Sequence, residues 1–165
     1  YQTLNAEIER VADEKGDLLL VRNPELDEEK QSQQIDYFRQ QKVNVIVINP
    51  VKGDSPKIIA SLKRAREAGI KIIAVDSQLS HFTVDASVVS DNYQAGVLVA
   101  QRLMKQKNEA KILLLEHKGT VSAEQRIRVL RYHSVGSSYQ VVGREETRGQ
   151  TELALPAVSR SFRMV

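Results

Sequence analysis

The chain has 165 residues, 41% of them hydrophobic and 27% charged, with a formal net charge of +3; this is the make-up of an ordinary globular protein, long enough for one domain or two small lobes. The absence of Cys excludes disulfides and thiolate metal sites and leaves the redox compartment open. Lys and Arg alternate with Asp and Glu, which is a solvated surface rather than a nucleic-acid patch, and no apolar run approaches the roughly 20 residues of a membrane-spanning helix.

Leu4, Ile8, Val11 and Ala12 recur at helical spacing, and Gly16 closes that first helix. Asp17 to Val21 reads as a strand, broken by Asn23-Pro24. Glu25 to Gln41 is a polar helix with Ile35 and Phe38 turned inward and acidic residues at its positive end. Val43 to Ile48 is the next strand. Gly53-Asp54-Ser55-Pro56 makes a turn and a helix start, and Ile58, Ile59, Leu62 and Ala65 form that helix's apolar face until Gly69. Ile70 to Val75 follows as a strand. The near-continuous β-branched residues of these two strands suit a parallel sheet covered on both faces.

A loop over 77–86 leads to a short strand, Ser87 to Val89, and then to a helix with Ala95, Val99 and Leu103 on one stripe and Ala100 and Met104 beside it. Lys111 to Leu115 is a strand, 121–132 a helix, Tyr139 to Val142 a strand and Thr151 to Ser159 a helix. The alternation predicts an α/β fold with a doubly wound parallel sheet. In such sheets ligands bind beyond the carboxyl ends of the strands.

Polar groups gather at those ends: Asn49, Asp76 with Ser77, the run Ser90-Asp91-Asn92, and Arg126 near the start of a helix. A carboxylate accepts from hydroxyls, an amide donates and accepts, and a guanidinium donates in a planar fork. Together they suit a sugar or another polyol. Taken singly, each has a plainer reading: Asn before Pro is commonly a turn residue, Asp or Ser at a strand end commonly a cap, and Arg126 a surface cation. Enzyme signatures are missing: there is no G-x-G-x-x-G after a strand, no Walker loop and no G-x-S-x-G. His81, His117 and His133 lack ligand spacing, so no metal and no cofactor is expected. A phospho-receiver is disfavoured because Val21-Arg22-Asn23 lacks the paired acidic residues such a site uses for its metal.

Four stretches taken in order, QQIDYF with VNVIVINP, then AGIKIIAVDS, then SDNYQAG, then SAEQRI, resemble the ribose-binding-protein-like periplasmic sugar-binding family. That family has the type I periplasmic binding fold, shared with the effector domains of LacI-type repressors. The resemblance runs from about Tyr1 to Val158. It implies two α/β lobes closing on a small-molecule sugar ligand, with residues 1–89 as an N-terminal lobe lacking its first strand and 90–165 as the start of the C-terminal lobe. It places Tyr1 on the flat face of the sugar ring, Asn49, Asp76 and Ser77 on the pocket wall, Ser90 and Asn92 at the hinge entry, and Arg126 on the opposite lobe. Family patterns often carry Arg after the carboxylate where Ser77 stands, which argues against ribose itself rather than against sugars. They also carry a Gly-Phe pair after the arginine, where this chain has Arg128-Val129-Leu130. The resemblance further implies a non-enzymatic binder, periplasmic or extracytoplasmic, serving a membrane transporter of the ABC type or a chemosensory receptor. The alternative is a cytoplasmic ligand-binding domain of a LacI-type regulator; no direct nucleic-acid contact is expected from this segment. The sequence starts at Tyr1 rather than Met and reads as a piece of something longer, which alone is expected to bind weakly.

Overall fold

Several helix boundaries follow from local devices. In a computed structural model, which describes residues 2–106, 109–134 and 138–162, α1 (Gln2–Lys15) ends on Gly16 at φ +75°. There the Asp17 N–H returns to the Ala12 carbonyl at 2.9 Å. Helix α2 (Glu28–Gln40) starts on Asp27, whose carboxylate accepts from the N–H groups of Glu29 and Lys30. Helix α3 (Pro56–Glu67) starts on buried Ser55 with Pro56 in its first turn. It closes on Gly69 at φ +83°, where the Ile70 N–H reaches the Ala65 carbonyl at 3.1 Å.

The strands β1 (Val45–Ile48), β2 (Lys71–Val75) and β3 (Ala86–Val88) form one parallel sheet in that order. The register sets Val45 opposite Lys71 and Ile73 opposite Ala86. One face carries Ile46, Ile48 and Ile72, which close against Ile35 of α2 and Ile58, Leu62 and Ala65 of α3. This is the main core, and Phe38 packs at its margin. A second parallel sheet joins β4 (Ala110–Glu116) to β5 (Tyr139–Glu146), with a register shift between Ile112 and Leu113. Helix α4 (Asn92–Gln106) runs from the first sheet to the second, α5 (Val121–Ser134) connects β4 with β5, and α6 (Thr151–Phe162) packs on β5.

The α/β class, the parallel pairing and the order of elements match the sequence reading. Among the details that differ, three bear on packing. Asp17 to Val21 is not a strand: among the described residues nothing offers it a ladder, and Leu18 is 89% exposed. The first sheet is not closed on both faces, because Val45 and Val47 stay 45% and 43% exposed. On α4 the buried line is Asn92, Gly96 and Ala100, one step from the expected stripe, and Val99 is 59% exposed. The reason is steric. A Cβ on Gly96 would stand 2.6 Å from the Arg126 carbonyl oxygen and 3.0 Å from Val129 Cβ, so a bare backbone is what lets α4 lie against α5. A hydrophobicity pattern gives no weight to a glycine, yet here it marks the contact face.

Candidate functional site

Asp76 stands at the carboxyl end of β2 in a strained turn. Its φ is +65°, and the N–H of Ser77 bonds back to the Val75 carbonyl at 2.7 Å, so Asp76 is the centre of a three-residue γ-turn. Its own N–H is tied to the Val88 carbonyl on β3 at 2.9 Å. Backbone strain of this kind costs on the order of 1–3 kcal/mol and tends to persist at ligand-holding positions. Neighbouring Asn49, at the end of β1, points its amide Nδ2 toward Asp76 Oδ2 at 3.5 Å, a long contact that sets the two groups side by side without locking them. The loop after Asn49 is fixed from beneath by Gln31. This buried amide donates to the Asn49 carbonyl at 2.9 Å and accepts from the Val51 N–H at 2.8 Å. Sequence reasoning missed Gln31. The signal was there: it lies four residues before Ile35 on the inward stripe of α2, an amide where an apolar residue is the norm.

A second pair forms where α4 meets α5. Arg126 Nε donates to Asn92 Oδ1 at 2.9 Å, and Asn92 Nδ2 donates to the Ser90 carbonyl at 3.0 Å. Asn92 is buried while Arg126 is exposed, so the buried amide holds the guanidinium by its Nε. Asp91 does the capping, accepting from the Gln94 N–H at 2.8 Å. The structure therefore brings Asn49 to Asp76 and Ser90 and Asn92 to Arg126. Ser77 is turned inward: it is only 3% exposed, and its Oγ has no hydrogen-bond partner among the described residues. Tyr1 lies outside the described residues.

Loops from the two sheets meet close by. The Gly53 N–H, four residues past Asn49, donates to the Gly119 carbonyl at 3.2 Å, and the Ser80 N–H, four residues past Asp76, donates to the Gly53 carbonyl at 2.9 Å. The Gly119 N–H is held by Glu124 Oε1 at 2.8 Å. Beside this junction, at the end of β4, opens a cavity of about 470 Å³ whose lining includes Ser80, Glu116, His117, Lys118, Arg128 and Arg144. None of the residues anticipated from the sequence lines it. Among the described residues no group of His, Asp or Glu is arranged to hold a metal ion, and no helix is long and apolar enough to cross a membrane.

Residues 1–159 match the family model described as the periplasmic binding protein domain. The chain belongs to that family. It is a family of binding proteins, not of catalysts. Over 100 residues the chain is 27% identical to the ribose import binding protein RbsB of Bacillus subtilis (strain 168), covering 61% of this chain and 32% of that protein. The periplasmic component of the arabinose ABC transporter from Shewanella sp. ANA-3, solved with α- and β-L-arabinofuranose, superposes with a TM-score of 0.88 at 20% identity, covering 99% of this chain and 55% of that one. A solute-binding protein of an ABC transporter from Agrobacterium vitis, solved with D-fucose, gives 0.75 at 26% identity over 84% of this chain and 49% of that one. The fold is that of a type I periplasmic binding protein. The chain spans about a third of its curated relative and about half of the solved ones.

Proposed function

We propose that this member of the periplasmic binding protein domain family binds a small sugar or sugar-like ligand, as the solute-binding component of an ABC-type uptake system or of a chemosensory receptor. In this reading the protein acts outside the cytoplasm and does no chemistry on its ligand. The observation that carries it is the Asp76 carboxylate, held in a strained γ-turn beside the Asn49 amide at the ends of two parallel strands. A carboxylate and an amide together meet the donor and acceptor of neighbouring sugar hydroxyls. Arg126, oriented by Asn92, supplies donors from the other sheet's side. Ser90 fixes Asn92 through its carbonyl, and in this reading Ser77 and Tyr1 belong to the set as well.

Residues 1–89 form the N-terminal lobe in this reading and 90–165 the beginning of the C-terminal one. Ligand bonds from both lobes form fully only when the lobes approach, so binding shifts an open–closed equilibrium that a membrane partner senses. Solved relatives bound to L-arabinofuranose and D-fucose support the ligand class. Titration calorimetry with pentoses, hexoses and inositols tests it. Asp76→Ala is expected to weaken the tightest of these at least about tenfold, the loss expected from one or two charged hydrogen bonds. Equal affinity in the variant and the parent protein removes Asp76 from the site.

A further inference from the structure

The cavity at the end of β4 belongs to no residue placed in the site above, and its side chains are unequally committed. Its acceptors are largely used. Glu116, only 5% exposed, takes both Nε and Nη2 of Arg144 on one oxygen, the first at 2.8 Å. Glu124 takes the Gly119 N–H. The nearest further carboxylate, Glu146, is turned to the backbone, accepting from the N–H groups of Lys118 at 3.0 Å and Arg148 at 2.8 Å. The donors are not used in the same way. Among the described residues the Lys118 ammonium and the Arg128 guanidinium make no side-chain hydrogen bond and no ion pair within 4 Å. Burial opposes it, but the backbone bonds to Glu146 and, behind them, the charge of Lys118 help to hold that carboxyl low. The His117 ring lies against Gly149, where a Cβ would come within 3.2 Å of Nδ1; at φ +66° that glycine leaves the ring its place beside the cavity. Lys118 and Arg128 therefore bring eight donors to the wall of a cavity of about 470 Å³, room enough for a small polar ligand, with few acceptors left to meet them.

We infer that this cavity receives an anionic group, a carboxylate or a phosphate, through Lys118 and Arg128, and that the ligand of this protein is an acidic sugar. The anion site stands on the cavity alone, whereas the sugar part rests on the reading given under Proposed function. Arg128 is suited to the task because a planar guanidinium binds either anion through two parallel hydrogen bonds. Arg144 is already spent on Glu116, a pairing that neutralises the buried carboxylate and keeps it from repelling the incoming charge. The second oxygen of Glu116 is left to accept from a hydroxyl next to the anion. Ser80 on the cavity wall donates its N–H to the Gly53 carbonyl, a bond that ties the cavity wall to the loops following Asn49 and Asp76.

The test is calorimetry on the 165-residue protein with D-glucuronate, D-glucose, D-glucose 6-phosphate and inorganic phosphate. At least one acidic sugar is expected to bind tenfold or more tightly than glucose, and the stronger of the two names the anion. Arg128→Ala is expected to erase that preference and Arg128→Lys to keep part of it; both changes lie on an exposed helix position. Asp76→Ala is expected to weaken glucose and the acidic sugar in parallel and to leave phosphate unchanged. Acidic sugars binding no better than glucose, or a preference that survives Arg128→Ala, overturns the anion site while leaving the sugar reading intact. Phosphate bound in an Arg128-dependent way with no sugar bound upholds the anion site and overturns the sugar reading instead.

Discussion

Asp36 on α2 shows how one carboxylate joins two helices. It accepts a fork from Arg64 on α3, Nε at 3.1 Å and Nη2 at 2.6 Å, and a third bond from Ser61 Oγ at 3.1 Å. Ser61 and Ser32 share a further bond of 2.8 Å in the helix interface. The Arg64 fork is the largest reason its carboxyl sits below the usual range, with burial opposing and Ser61 assisting. The folded pKa is lower than the unfolded one, so this carboxylate stabilises the fold above the unfolded value near 4 and loses that contribution as pH falls through the folded value. Asp36→Asn is therefore expected to cost about 1 kcal/mol at pH 7, discounted for the half-exposed Arg64. The gap to the parent protein should shrink toward pH 3. Denaturant unfolding at both pH values checks this, and an equal gap at both would show that charge is not the cause. The residue scale is also where the candidate site was partly legible. Asn49, Asp76, Asn92 and Arg126 stand out because each is a polar side chain at a strand end or helix start. Gln31 and Glu116 did not, since a polar group facing inward is identified only by the partners that satisfy it. Ser77 sits next to Asp76 in sequence, but the γ-turn sends its hydroxyl the other way.

Between elements, α4 and α5 are held at backbone distance by Gly96. Gly96→Ala sets a methyl 2.6 Å from the Arg126 carbonyl oxygen, and neither backbone can yield without the helices moving apart. Overpacking of this kind costs about 1–3 kcal/mol, which for a chain of this size lowers the melting temperature by roughly 2–12 °C. A thermal scan with an unchanged midpoint would mean that the helices slide freely. The variant should also loosen the Asn92–Arg126 bond, because that bond spans the same contact. Element types were readable from sequence where local chemistry decides them: Gly16 and Gly69 as stops, Ser55-Pro56 as a start, and Ile58, Leu62 and Ala65 as a buried face. Elements that depend on distant partners were not. Asp17 to Val21 has strand composition but no ladder, and β5 runs four residues past the expected Val142 because it follows β4 through a register shift.

For the molecule as a whole, the contact of consequence is the one between the loops after β1 and β4. Gly53 has no room for a side chain, since its Cβ would lie 2.4 Å from the Gln78 carbonyl oxygen. Gly53→Val must displace that loop, and the shift is expected to cost the bond to Gly119. One such bond contributes about 0.5–1.5 kcal/mol, so under the proposed open–closed equilibrium the closed population and the apparent affinity should fall by roughly two- to tenfold. Small-angle scattering should show a larger radius of gyration while the circular dichroism of the helices stays the same. An unchanged radius and affinity would show that the junction is a bystander. The outer side of β1 has a different meaning. Val45 to Ile48 is an uncharged run of four β-branched residues whose free edge faces no other strand among the described residues. Its row of amides and carbonyls is a docking template with no Lys, Pro or bulge to refuse an incomer. The strand whose Ile46 and Ile48 anchor the core thus makes this sheet receptive to an extended peptide that reaches its edge, whether from its own polypeptide or from a stranger.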